Sequence, residues 1–330
     1  MALRMPASTF RCAVSCLLAL STGAAFAQNG ARNKKDDPAQ IGNRDVGKGI
    51  NLYSLEKEIA LGKQLAEEVR RQAKVVEDPL ISEYVNRVGQ NLARNSDARV
   101  PFSFQVIEGD SPNAFALPGG YVFVYTALIK IADEEDELAA AMAHEIAHVA
   151  ARHMTKQATR SQIAGIAGVP IGVILGGGIG GAVIRQGANA GVPAAFMHFT
   201  RKDESEADYL GLQYMYAAGY DPNGSISIFE KLESLERRQP GTVARIFSTH
   251  PMEDTRIRKT EEEIDRILPG KPEYVVNTSE YIAIRQRLIS QEERKQAADR
   301  TRPQLRRRQE VEGPSEGDDH PTVRRRDLIE

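Results

Sequence analysis

The sequence predicts an α+β fold, mostly helical, with one small antiparallel sheet. Two observations carry this. Apolar residues recur at helical spacing in several stretches, most of them opened by a capping residue or an acidic run. Period-two alternation is confined to residues 102–125. The chain of 330 residues is 41% hydrophobic, enough for one large domain with appendages, and its net charge of −2 gives no global field that favours nucleic acid. No repeats of the kind that build helical binding arrays are present.

Residues 1–27 read as a secretory signal peptide. Arg4 and Arg11 give a positive start, Cys12–Leu20 a short apolar core, and Ala25-Phe26-Ala27 a cleavage site, so the mature chain would begin at Gln28 in the periplasm. The apolar run is too short for a membrane anchor, and Ala13-Val14-Ser15 before Cys16 lack the usual leucine of a lipoprotein signal. Both cysteines, Cys12 and Cys16, leave with the signal, so neither a disulfide framework nor a thiolate ligand is expected. Residues 28–49 are polar and predict a disordered leader.

A domain is expected over residues 50–270. Ser54 opens a helix with Leu55, Ile59, Leu65 and Val69 at near-helical spacing. Asp78-Pro79 opens a second, with Leu80, Val85, Val88 and Leu92 inward. Phe102–Ile107 alternates like a strand. Asn113–Gly120 and Tyr121–Tyr125 follow as a hairpin turned at Pro118-Gly119-Gly120, which completes the small sheet. Asp133–Glu137 is an acidic start suited to a helix N-terminus, and no Gly or Pro interrupts from there to Met154.

In the middle of that helix lies His144-Glu145-Ile146-Ala147-His148, an H-E-x-x-H motif. His144 and His148, four apart, share one face and can bind one Zn²⁺ ion, with Glu145 beside them as general base for an attacking water. The chain has six histidines, and a helix with two incidental ones is the bland alternative. A third protein ligand is available downstream in Glu204-Ser205-Glu206-Ala207-Asp208. Glu204 and Asp208 share a helical face, so Glu204 can ligate and Asp208 can accept the spare ring N–H of a ligating histidine. Glu206 projects elsewhere.

Asp203–Gly219 predicts the helix that carries Glu204, and Gly219-Tyr220-Asp221-Pro222 ends it and starts another to about Arg238. Ser248-Thr249-His250-Pro251 reads as a loop, and Arg256 begins a helix to Leu268. The region 271–330 holds a helix over Ser279–Ala298 and a disordered, charged tail from Arg300. Ile163–Ile184 has no charge over 22 residues, but eight are Gly and Pro170 interrupts. A membrane span, a flexible lid near the cleft and peripheral membrane contact through 163–184 are the three readings of that stretch.

With these residues on the page, the sequence resembles the gluzincin zinc metallopeptidases of family forty-eight, which include HtpX, the CAAX prenyl proteases and the periplasmic protease BepA. It looks most like their soluble periplasmic branch. Asn113–Gly120, His144–His148, Glu204–Gly211 and Ser248–Pro251 with Arg256 carry the likeness, in the family's order. The resemblance implies a zincin-like domain with one Zn²⁺ per chain held by His144, His148 and Glu204, with Asp208 behind them. It implies that His250 and Arg256 face the metal, where they could hold the oxyanion of the intermediate. His250 acting as a removable ligand that blocks the open metal position is the other reading. The strand beside Asn113–Gly120 is implied to border the cleft, where an exposed edge could bind an extended peptide. The expected function is a zinc endopeptidase of periplasmic quality control or outer-membrane protein maintenance, acting on unfolded or misassembled proteins, with no nucleic acid as partner. The rivals are a chaperone-like protein that binds unfolded outer-membrane chains and cleaves seldom, and an inert protein with a structural zinc.

Overall fold

The computed structural model describes residues 34–163, 199–238, 250 and 255–301. Residues 1–27, read as a signal peptide, nearly all of the 163–184 stretch and the tail after Thr301 lie outside the described residues. Two compact units are present, one ending at Ile289 and one from Ser290 on; of the second, only its helical residues 290–301 are described.

In chain order the elements are α1 (Leu55–Gln72), α2 (Pro79–Arg94), β1 (Ser103–Ile107), β2 (Ala114–Leu117), β3 (Tyr121–Tyr125), α3 (Thr126–Ile131), α4 (Glu135–Ala150), α5 (His153–Ile163), α6 (Arg201–Ala218), α7 (Gly224–Arg238), α8 (Thr255–Ile267) and α9 (Ser279–Thr301). The capping residues act as the sequence predicts: Ser54 accepts from the Lys57 N–H and Asp78 from the Leu80 N–H, with Pro79 in the first turn. Leu80 itself is a correction. It is 54% exposed, because the inward stripe of α2 runs through Ile81, Tyr84, Val85, Val88 and Leu92. Leu80 lies one position, about 100°, off that stripe.

The sheet is small, but mixed rather than antiparallel. β2 and β3 form the expected antiparallel hairpin, with Gly119 and Gly120 at φ of 74° and 91° in the turn. β1 joins the other edge of β3 in parallel, so the order is β1-β3-β2. Two physical features explain this. The connection over residues 108–113 is long enough to leave one strand's width between β1 and β2. β3, Tyr-Val-Phe-Val-Tyr, has the most apolar surface to bury and takes the central place.

α4 is the axis of the domain. Only Ala141 and Val149 along it are not buried. It packs against α2, β2, α6 and α7. α6 is locked at its start by a reciprocal cap, Thr200 accepting from the Asp203 N–H and Asp203 accepting from the Thr200 N–H, and at its end by Gly219 at φ 93°. Gly211 lets α6 approach α4 closely: a Cβ there would stand 3.2 Å from the His144 backbone nitrogen. The backbones of the two helices that bear the motif residues therefore nearly touch.

Two expected boundaries shift. Residues 34–49, read as leader, pack onto the domain. Arg44 is buried and donates to Asp97 at 2.6 Å and to Gln213 of α6 at 2.5 Å, while the Tyr214 hydroxyl donates to Asp97 at 3.0 Å. Averaged composition hides such a single anchoring residue. The folded unit also continues past residue 270: Tyr281, Ile284 and Leu288 of α9 are buried, and the Tyr281 hydroxyl lies 2.7 Å from the Ala132 carbonyl. No helix among the described residues is long and apolar enough to cross a membrane.

Candidate metal centre

α4 presents His144 and His148 one turn apart, and α6 brings Glu204 against them. His144 Nε2 is 3.0 Å from His148 Nε2, and Glu204 Oε2 is 3.4 Å from His144 Nε2. Glu204 Oε1 is 3.5 Å from His148 Nε2. His250 enters from outside these helices, its Nδ1 3.0 Å from Glu204 Oε1 and 3.3 Å from His144 Nε2. The four residues are buried, and their donor atoms all lie within 4.8 Å of one another. Bonds of about 2.0–2.1 Å in a tetrahedral zinc site place neighbouring ligand atoms about 3.3 Å apart, and the spacings here match that figure. Glu204 Oε2 is buried without a well-formed hydrogen bond, as expected of an oxygen whose natural partner is a cation. The donor set, three imidazoles and one carboxylate, suits the same kind of ion.

The surroundings hold these donors in place. Asp208, one turn after Glu204, lies 2.9 Å from His144 Nδ1, the ring atom facing away from the other donors. Arg256 at the start of α8 clamps Asp208 through two nitrogens, at 2.8 and 2.6 Å, and reaches Glu204 at 3.5 Å. Its guanidinium lies 4.6 Å from the Phe229 ring. Arg256 thus meets the site mainly through Asp208, behind the donors, and at longer range through the donor Glu204, rather than at the oxyanion position the resemblance implied. Glu145 is buried beside the cage, its Oε1 3.3 Å from His250 Nε2, and its carboxylate meets the backbone N–H of Ala116 in β2. A small pocket lined in part by Ala116, Leu117, Pro118, His148 and Phe199 lies on this side. β2 is an edge strand of the sheet, as a peptide-binding edge requires, but all four of its residues are buried.

Charge is distributed unevenly across the cage. Burial disfavours a proton on His144, but Asp208 and Glu204 outweigh it and push the imidazole up to about 10. Burial, helped by the neighbouring His144, holds His148 well below its ordinary value and keeps it neutral. Burial raises Glu204 and Asp208, yet both end lowered, Glu204 by His250 and His144, and Asp208 by Arg256 and His144. Glu145 is pushed up, chiefly by burial. Two carboxylates kept ionised among buried imidazoles form a cage that draws in positive charge, as a proton or as a metal.

The structure thus gathers His144, His148, Glu204 and His250 into one donor group, with Asp208 and Arg256 behind it and Glu145 alongside. Sequence reasoning missed Phe199 and His153. Phe199 stacks on His148, ring centres 4.0 Å apart, and His153 Nδ1 lies 3.0 Å from His148 Nδ1. The spacing of five residues from His148 to His153 fits no single helical face. The contact exists because the chain breaks after Ala150, with Arg152 at φ 60°, before α5 begins.

Residues 79–264 match peptidase family M48. The beta-barrel assembly-enhancing protease of Yersinia pestis is 30% identical over 259 residues, 76% of this chain and 52% of that protein. The protein of the same name from Escherichia coli K12 is 31% identical over 70% of this chain and 47% of its own length. Mitochondrial metalloendopeptidase OMA1 of Schizosaccharomyces pombe is 36% identical over 54% of this chain and 52% of its own. The chain spans about half the length of the curated relatives it matches. It belongs to peptidase family M48.

Proposed function

We propose that this protein is a zinc-dependent endopeptidase of the periplasm that serves the maintenance of outer-membrane proteins. The observation that carries the reading is the buried donor cage with Glu145 beside it. The names of the β-barrel assembly-enhancing relatives support the biological role, and the signal-like residues 1–27 support the compartment.

His144, His148 and Glu204 would hold the ion. Zinc bound there would supply Lewis acidity toward the scissile carbonyl and a nucleophile available at neutral pH. Asp208, clamped by Arg256, fixes the ring of His144. Glu145 takes the proton of the attacking water and returns it to the leaving amine. Its raised affinity for a proton, caused by burial, suits both halves of that exchange. The substrate would be an unfolded or misassembled protein, and β2, an edge strand beside Glu145, is where an extended segment of it would lie.

His250 has two readings, and the geometry favours one for the arrangement seen. Its Nδ1 stands in the cage as a fourth donor, which closes the position a substrate carbonyl needs. Swung out of the cage, the same imidazole could serve the oxyanion. In the closed form the protein would bind unfolded chains and cleave them slowly, so the chaperone-like rival and the protease describe two states of one molecule.

The test is Glu145→Gln. The amide keeps the shape of the carboxylate but takes no proton, so peptide hydrolysis should fall about 10²- to 10⁴-fold. Zinc content and melting temperature should hold. Wild-type turnover with zinc present would remove Glu145 from the reaction.

A further inference from the structure

We propose that His153 is a positioning residue for the metal ligand His148, the middle link of a chain from His148 to Glu206. The inference rests on the zinc reading above. It follows from where protons must sit. His148 turns Nε2 toward the donor cage, 3.0 Å from His144 Nε2, so that nitrogen must keep its lone pair for the ion. A neutral His148 then carries its proton on Nδ1. The atom facing it is His153 Nδ1 at 3.0 Å, which must therefore accept. His153 in turn carries its proton on Nε2. That atom points at carboxylates: Glu206 Oε2 at 3.4 Å and Asp203 Oδ1 at 3.9 Å. Each proton position is forced by the one before it, and every donor meets an acceptor.

His153 is fully buried, and Phe199 lies across both imidazoles, ring centres 4.0 Å from His148 and 6.2 Å from His153. The far end of the chain is anchored at the edge of the fold. Glu206 is partly exposed, and Lys35 stands 4.0 Å from it. Asp203 is held by Arg160 and by its own cap on Thr200. The two helical ligands are therefore oriented by different devices. His144 leans directly on a carboxylate, Asp208, whereas His148 reaches one through a second imidazole. This gives Glu206 a task although it holds no metal.

The experiment compares the full-length wild type with His153→Leu, His153→Asn and Glu206→Ala. Asn places an amide oxygen close to where the ring Nδ1 sits, and Leu places none. Zinc affinity is measured by chelator competition, and apo-protein melting is measured in parallel. His153→Leu should weaken zinc binding about 10- to 100-fold, the usual effect of losing a partner behind a ligand, and His153→Asn should recover most of it. Glu206→Ala, at a partly exposed position where water can take the place of the carboxylate, should speed zinc release several-fold, with the parallel apo melting separating this from a loss of stability. In ¹⁵N-labelled, zinc-loaded wild type, His148 should be protonated on Nδ1 and His153 on Nε2. The opposite tautomers, equal losses for Leu and Asn, or wild-type zinc release in Glu206→Ala would each overturn the inference. A wild type that binds no zinc would instead overturn the metal reading on which it rests.

Discussion

At the scale of the residue, His250 decides most. One imidazole touches the donor cage through Nδ1 and the base Glu145 through Nε2, so it cannot leave without changing both. If it closes the site in the form seen here, His250→Ala should raise peptidase turnover on an unfolded substrate while slightly weakening zinc. If its main duty is to the oxyanion, the same variant should lose about 10²- to 10³-fold, the typical effect of removing one such donor. Steady-state rates at fixed zinc occupancy separate the two. Glu204 and Glu206 make a second comparison on one helix. Glu204→Gln removes the anion at the centre of the cage and should cost most of the zinc. Glu206→Gln keeps an acceptor for His153 and should cost little. Equal zinc contents by metal analysis would contradict the assignment.

At the scale of the element, α4 shows how a helix can be almost wholly buried and still carry charge. Its acidic start, read as a dipole-matched N-terminus, is put to more specific uses: Glu135 takes the Tyr220 hydroxyl at 3.0 Å, and Glu137 the Lys231 ammonium at 2.7 Å. Among the described residues Asp136 Oδ1 has no such partner, and it is buried beside the start of α7. Burial, followed by the nearby Glu134, pushes its carboxyl from 3.8 to about 7. The folded chain therefore keeps a proton there that the unfolded chain releases. The stability gained is complete below about pH 4 and is lost as pH rises through about 7. Asp136→Asn should accordingly raise the melting temperature at pH 8 relative to wild type, with little gain at pH 4. A constant difference across that range would show that the carboxyl does not titrate as its burial dictates. The elements themselves were largely legible in the sequence, because Ser54, Asp78 and Gly219 act locally as caps, although α6 starts at Arg201, capped by Thr200, two residues before the Asp203 the sequence suggested. What was not legible depends on tertiary packing. The pairing of β1 with β3 follows from competition for the central place in a sheet, and the contact of His153 with His148 follows from a chain break that helical periodicity cannot show.

At the scale of the whole molecule, the site is a seam between segments far apart in the chain. α4 and α6 are pressed together at Gly211, α8 closes on Asp208, and the N-terminal residues hold α6 from behind. Zinc binding and folding should therefore be coupled. At free zinc about 100-fold above its dissociation constant, the folded state gains about 2.7 kcal/mol. Thermal melting with and without chelator should show that gain, and Glu145→Gln should show it undiminished. The grip of Arg44 on Asp97 and Gln213 bears on how the protein can be shortened. A trimmed version beginning at Asn51, just before the first long helix, would strand the carboxylate of Asp97 in the interior without its cation. Leaving such a charge unpaired costs about 3–5 kcal/mol. Limited proteolysis should thus leave a resistant fragment whose first residue lies before Arg44. Any recombinant form cut later should come off the ribosome poorly folded, with its catalytic sequence intact.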